Sequence, residues 1–122
     1  MKKILFIEDE PSLQKALSVS LKAQGFEVLS AFDGESGLNM VKESRPDLVL
    51  LDLILPKMDG FTVLEELKKI SELKDTPVVV LTNLDDTEDV QKVLDLGATN
   101  YLIKASYNTE DIADKIKEIL EK

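Results

Sequence analysis

Four apolar runs in this 122-residue chain each end in a side chain that can handle phosphate or a divalent cation. Ile4-Leu5-Phe6-Ile7 leads into Glu8 and Asp9, Leu48-Val49-Leu50-Leu51 into Asp52, Val78-Val79-Val80-Leu81 into Thr82, and Tyr101-Leu102-Ile103 into Lys104. A carboxylate such as Asp52 can attack phosphorus and form an acyl phosphate. An anion approaching an anionic phosphoryl group needs positive charge beside it, and Glu8, Asp9 and Asp52 would repel one another if left bare. Mg²⁺ resolves this, because it takes oxygen ligands in octahedral geometry and keeps several waters. Asp9 and Asp52 are the expected direct ligands, Glu8 is expected to act through water, and the backbone carbonyl of Ile54 is a further candidate. Lys104 can pair with Asp52 before the reaction and with phosphoryl oxygens after it, while Thr82 can donate its hydroxyl to one of those oxygens. Phosphoryl transfer consists mostly of positioning and charge stabilisation, and these groups offer both.

Such chemistry requires that distant segments meet. Short runs of Val, Ile and Leu read as buried parallel strands, and in an open α/β sheet ligands bind outside the carboxyl ends of the strands. Helical patterns separate the runs. Pro11 opens a first helix with Leu13, Ala16, Leu17, Ser20 and Leu21 on one face, and Gly25 stops it. Phe26–Ala31 reads as a second strand, Gly34–Ser44 as a second helix with Leu38 and Val41 inward, and Pro46 precedes a third strand from near Asp47. Leu53 to Gly60 forms a loop, and the third helix carries Phe61, Leu64, Leu67 and Ile70. Asp85, Asp86, Glu88 and Asp89 crowd the start of a fourth helix, where acidic residues suit the dipole. Val90, Val93 and Leu94 are expected inward there, before Gly97. A fifth strand over Ala98–Ile103 and a last helix from Thr109, with Ile112, Ile116, Ile119 and Leu120 on one side, complete the pattern. Strict strand–helix alternation predicts a doubly wound, five-stranded parallel α/β sheet with helices on both faces. The expectation is one domain over residues 1–122, with no output domain.

Composition narrows the chemistry further. Fifteen Lys and Arg against 24 Asp and Glu leave a net charge of -9, which argues against direct nucleic-acid binding and is otherwise a solubility feature. Neither cysteine nor histidine is present. Disulfides, thiolate chemistry, His ligands and a phosphohistidine on this chain are therefore excluded. No run approaches the length of a membrane span, the N-terminus is too short for a signal-peptide core, and the expected compartment is the cytoplasm.

At these residues the chain resembles the receiver domains of two-component response regulators. The resemblance rests on Phe6-Ile7-Glu8-Asp9-Glu10, on Leu51-Asp52 with Leu55-Pro56-Lys57-Met58-Asp59-Gly60, on Leu81-Thr82, and on Gly97-Ala98 through Tyr101-Leu102-Ile103-Lys104. It implies the flavodoxin-like strand order 2-1-3-4-5, an order that general accounts of this fold already illustrate with such a receiver. It also implies roles. Asp52 is the phosphoacceptor, charged from a phosphohistidine on a sensor histidine kinase or phosphotransfer protein. Glu8 and Asp9 are the acidic pair for Mg²⁺, Thr82 and Tyr101 the switch pair, and Lys104 the phosphate-sensing lysine. The surface of the fourth helix, fifth strand and fifth helix becomes the face read by a downstream protein. Two positions depart from the pattern: Ala105 stands where proline usually follows the lysine, and Asn83 replaces a small residue and is expected to narrow access to Asp52. A cis bond without proline costs about 2.5–4 kcal/mol, so a trans Lys104–Ala105 bond, or a strained cis one, is expected. The single arginine, Arg45, lies outside the switch face, which points to a stand-alone receiver or one from an architecture without arginine–carboxylate pairing there.

Each residue alone has a plainer reading: a solvated loop or cap for Glu8 to Glu10, an ordinary strand end for Asp52, a β-former for Thr82, a surface lysine for Lys104, a partly buried aromatic for Tyr101. Those readings weaken only jointly, at four strand ends together. An aspartate-nucleophile phosphatase would need a second Asp two residues after Asp52, where Ile54 stands. A flavodoxin-like cofactor binder would want a phosphate-cradling loop after the first strand, where Glu8-Asp9-Glu10-Pro11 stands instead. A receiver-like module that no longer accepts phosphate is hinted at only by Ala105.

Overall fold

The computed structural model describes residues 1–84 and 87–121. Each apolar run forms a strand: β1 (Lys3–Ile7), β2 (Glu27–Ala31), β3 (Leu48–Leu51), β4 (Val78–Thr82) and β5 (Asn100–Ile103). Helices α1 (Pro11–Ala23), α2 (Gly34–Ser44), α3 (Gly60–Lys68), α4 (Thr87–Asp95) and α5 (Thr109–Glu121) follow them in turn. All strand pairs are parallel, in the order β2-β1-β3-β4-β5. The expected topology is therefore present.

Because β1, β3 and β4 are covered on both faces, their side chains divide into two core layers. Leu5, Ile7, Val49, Leu51, Val78 and Val80 pack with Leu38 and Val41 of α2, Val63, Leu64 and Leu67 of α3, and Val93 of α4. Ile4, Phe6, Leu48, Leu50, Val79 and Leu81 pack on the other face with Leu17 and Leu21 of α1 and Ile112, Ala113 and Ile116 of α5. This alternation is the period-2 side-chain pattern of a strand. Since every strand points the same way, Ile7, Leu51, Thr82 and Ile103 all end at one rim.

Several local expectations are corrected. Ala16 is exposed, and Gln14 takes its place on the buried face of α1 with Leu17 and Leu21. Leu94 is also exposed, while Leu96 packs against the core. The chain turns at Gly97, so β5 begins at Asn100 rather than Ala98. Ile70 lies beyond the end of α3 but still packs on the core, and Phe61 is only half-buried, with the Lys92 ammonium 4.4 Å above its ring. Of the acidic residues expected to open α4, Glu88 and Asp89 sit in its first turn; Asp85 and Asp86 lie outside the described residues.

The loop after β3 is fixed by two close backbone approaches. Gly60 begins α3 with its N–H donating to the Leu53 carbonyl at 2.9 Å, and a Cβ there would lie 2.3 Å from the Asp52 carbonyl oxygen. Gly34 begins α2 with its N–H 3.3 Å from the Pro56 oxygen, and a Cβ there would meet the Met58 oxygen at 1.8 Å. Both obstacles are backbone, so neither can yield by a side-chain rotation. Gly60→Ala is expected to cost about 2–3 kcal/mol in urea unfolding, the range of overpacking in a rigid site. A loss below about 1 kcal/mol would show that the loop gives way easily.

Candidate functional site

The strand ends bring their polar residues into one cluster. Asp52 follows β3 directly, and its N–H donates to the Ile7 carbonyl at 3.0 Å, which extends the sheet by one residue and pins the acid beside the end of β1. Glu8 is held in the same manner by its N–H to the Ala31 carbonyl of β2. Asp52 is 4% exposed and Glu8 1%, whereas Asp9 is exposed at the mouth of the crevice. Carboxylate oxygens of Glu8, Asp9 and Asp52 lie within 4.8 Å of one another.

Lys104 reaches across from the end of β5. Its Nζ donates to Asp52 Oδ2 at 2.8 Å and also forms an ion pair with Glu8. The other Asp52 oxygen, Oδ1, accepts from the Ile54 N–H at 3.3 Å, and Glu8 Oε2 accepts from the Glu10 N–H at 3.1 Å. Both carboxylates are thus oriented by backbone donors as well as by the ammonium. Burial alone would lower the Lys104 pKa, but its hydrogen bonds to Asp52 and Glu8 outweigh this and hold the ammonium above its ordinary 10.5. Glu8 behaves oppositely. Burial pushes its carboxyl up from 4.5 to about 7, against the Lys104 hydrogen bond and with the help of negative Asp52.

Thr82 ends β4 fully buried, and its hydroxyl has no hydrogen-bond partner among the described residues. Tyr101 pairs with Val80 in the β4–β5 ladder, and its hydroxyl donates to the Leu84 carbonyl, two residues beyond Thr82. The β4–α4 connection therefore touches the ring of Tyr101 through its backbone. The side chain of Ile54 is 61% exposed beside the acid. The Lys104–Ala105 bond is trans, the first of the two forms the sequence allows. Residues Lys104–Ser106 form one 3₁₀ turn, and the Ala105 N–H donates to Asn83 Oδ1 at 3.2 Å. Asn83, expected to narrow access to Asp52, thus ties the end of β4 to the turn after β5.

The donor set suits a hard cation. It offers carboxylate oxygens without nitrogen or sulfur, with one acid at the surface and two buried, and with all three ionised it holds two more negative charges than Lys104 supplies. Mg²⁺ favours such oxygen sites and keeps part of its water shell. The residue that sequence reasoning missed is Gln14, which is buried with its amide nitrogen within hydrogen-bond distance of three backbone carbonyls at or just beyond the ends of β1 and β2. Its spacing with Leu17 and Leu21, three and seven residues apart, carried the signal.

The raised Glu8 pKa makes stability depend on pH. The unfolded chain ionises Glu8 near 4.5 and the folded chain near 7, so the folded state binds more protons between these values and loses stability as pH rises through them. In metal-free buffer, the advantage of Glu8→Gln over wild type in urea unfolding is expected to grow by on the order of 2 kcal/mol between pH 5 and pH 8. An advantage that is the same at both pH values would contradict the assignment.

Comparison with known proteins agrees with this geometry. The sequence profile described as "Response regulator receiver domain" matches residues 4–117. A relative named probable transcriptional regulator ycf27, from Porphyridium aerugineum, is 41% identical over 118 residues, which cover 97% of this chain and 48% of the relative. The DNA-binding dual master transcriptional regulator RpaA of Synechocystis sp. is 37% identical over 120 residues, 98% of this chain and 49% of its own length. The chain thus spans about half the length of these relatives. Among solved structures, the chemotaxis response regulator CheY4 of Vibrio cholerae superposes with a TM-score of 0.90 at 30% identity, covering 98% of both chains. The Mn²⁺-bound form of response regulator Rcp1 does so with a TM-score of 0.84 at 35% identity, over 98% of this chain and 91% of Rcp1. With its strand order, its acidic cluster and a profile match over nearly its whole length, this chain belongs to the response regulator receiver domain family.

Proposed function

We propose that this domain is a phosphoacceptor switch in which Asp52 takes a phosphoryl group from a histidine kinase or phosphotransfer protein. The observation that carries this reading is the convergence of Glu8, Asp9, Asp52 and Lys104 at one rim, with a buried, unpartnered Thr82 hydroxyl at the neighbouring strand end. Asp52 attacks phosphorus, the bond from phosphorus to the donor nitrogen breaks, and its electron pair leaves with the imidazole. Lys104, already on Asp52, is placed to pair with the phosphoryl oxygens once the bond forms. Thr82 supplies a hydroxyl for one of them. Glu8, Asp9 and Asp52, with the Ile54 carbonyl as a further candidate, would hold Mg²⁺, which supplies the positive charge that lets one anion approach another. That one relative's structure is described as Mn²⁺-bound supports a divalent cation here. Ile54 stands where an aspartate-nucleophile phosphatase would carry its acid–base aspartate, so the domain is read as a switch that assists its own phosphorylation and slow dephosphorylation, not as an enzyme.

The signal would leave through the β4–α4 connection. A Thr82 hydroxyl drawn toward a new phosphoryl group would shift the backbone that holds Tyr101 through Leu84, and so the face formed by α4, β5 and α5. A downstream protein reads that face. Direct nucleic-acid contact is not proposed for the domain itself, given its net charge of -9. Where longer relatives named as transcriptional regulators act on DNA, that contact is assigned to the half this chain does not span.

Incubation with Mg²⁺ and a small acyl phosphate tests the reading. A base-labile gain of one phosphate, seen by intact mass and lost in Asp52→Ala, is the expected result; turnover of many phosphate esters, or a gain retained in Asp52→Ala, would contradict it. Ile54 and Leu84 place apolar side chains near the site and are expected to hinder the hydrolytic water. Ile54→Asn and Leu84→Glu should then shorten the phosphorylated lifetime, by about tenfold if one water position is opened. Faster loss of phosphate in wild type than in these variants would sink that assignment.

A further inference from the structure

We propose that Gln14 is the positioning residue of the β1–α1 loop: its buried carboxamide holds the backbone that presents Glu8 and Asp9 to a divalent cation. The inference rests on the cation-binding reading of those acids. Gln14 sits in the second turn of α1, yet it is only 3% exposed. Its Nε2 lies 2.9 Å from the Phe6 carbonyl, 3.1 Å from the Glu8 carbonyl and 2.9 Å from the Ala31 carbonyl. These oxygens belong to β1, to the first residue after β1, and to the last residue of β2. One amide group therefore stitches two strand ends to the loop that carries the acids.

The orientation of the carboxamide is dictated by its neighbours. All three are carbonyl oxygens and accept only, so Nε2 must face them, and the flipped amide would set oxygen against oxygen. The opposite atom, Oε1, is buried with no hydrogen-bond partner. A leucine or methionine would fill the same space without an orphaned oxygen, so packing alone does not explain a glutamine here. What an apolar residue cannot do is hold the Glu8 carbonyl. The Glu8 peptide is gripped from both sides, since its N–H donates to Ala31 and its carbonyl accepts from Gln14. From that point the Glu8 carboxylate turns back to Lys104, and Asp9 follows at the mouth. Residues that orient metal ligands from behind affect affinity about 10–100-fold, and Gln14 stands behind Glu8 directly, through its carbonyl, and behind Asp9 only through the peptide that follows.

The test compares Mg²⁺ binding, by titration of backbone amide shifts, in wild type, Gln14→Met and Ile116→Ala, the last a core variant in the middle of α5 chosen to lower stability without touching the loop. Gln14→Met is expected to weaken Mg²⁺ binding by about tenfold or more, with Ile116→Ala unchanged and with faster hydrogen exchange at the Glu10 amide in Gln14→Met alone. Wild-type affinity in Gln14→Met, or equal weakening in both variants, would overturn the proposal. A measurement on wild type alone guards against misfolding of the variant: the Gln14 side-chain amide protons should exchange with water far more slowly than those of exposed Gln91, and equal rates would overturn the proposal too. If wild type itself binds no Mg²⁺, the cation reading fails instead, and exchange at Glu10 in the metal-free proteins then decides whether Gln14 holds the loop.

Discussion

One ammonium shared between two buried carboxylates is the contact on which this rim depends. Lys104 lies on both Asp52 and Glu8, and both acids are almost wholly withdrawn from water. Removing the ammonium would strand both buried carboxylates, at about 3–5 kcal/mol, so Lys104 holds the two acids in place. Yet the arrangement is not balanced. Burial, with the negative Asp52 beside it, keeps Glu8 from ionising until about pH 7, and with all three acids ionised one lysine faces three negative charges. On the proposed reading, that surplus is what a cation would offset, and the cation would in turn favour the approach of a phosphoryl group.

The fold serves this cluster by direction and by closure. Parallel pairing sends the ends of β1, β3, β4 and β5 to the same edge, and hydrogen bonds just beyond the strands, Asp52 to Ile7 and Glu8 to Ala31, extend that order into the loops. The loop after Asp52 is closed by backbone approaches at Gly60 and Gly34 that leave no room for a side chain. A flexible connection there would let Asp52 wander from Lys104. By contrast, the connection after Thr82 is tied through Tyr101 and through Asn83 to Ala105. One side of the pocket is thus held by packed backbone, and on the other side Asn83 and Leu84 each carry a polar contact to β5 or the turn that follows it.

Much of this was legible in the sequence, because buried parallel strands need uninterrupted Val, Ile and Leu, and the residue that follows each run is fixed at the rim. The strand order came from family resemblance, since alternation alone does not set it. Helix faces were read less well. Ala16 and Leu94 look apolar and proved exposed, while polar Gln14 proved buried, because a carboxamide that meets three carbonyls outweighs its own polarity. β5 starts two residues later than its apolar pattern implies, as Gly97 with φ 105° turns the chain before pairing resumes. The role of Asn83 in holding the turn at Ala105 depends on a contact 22 residues apart in sequence, and no local pattern announces it.

A crystal structure of the protein with Mg²⁺ and beryllofluoride, an acyl-phosphate mimic, bears most directly on the central claim. The account predicts the beryllofluoride on the Asp52 carboxylate, the metal against Glu8, Asp9 and Asp52, and Lys104 and Thr82 turned to the fluorines. A mimic bound elsewhere, or an Asp52 turned away from Lys104 and the two acids, would contradict it.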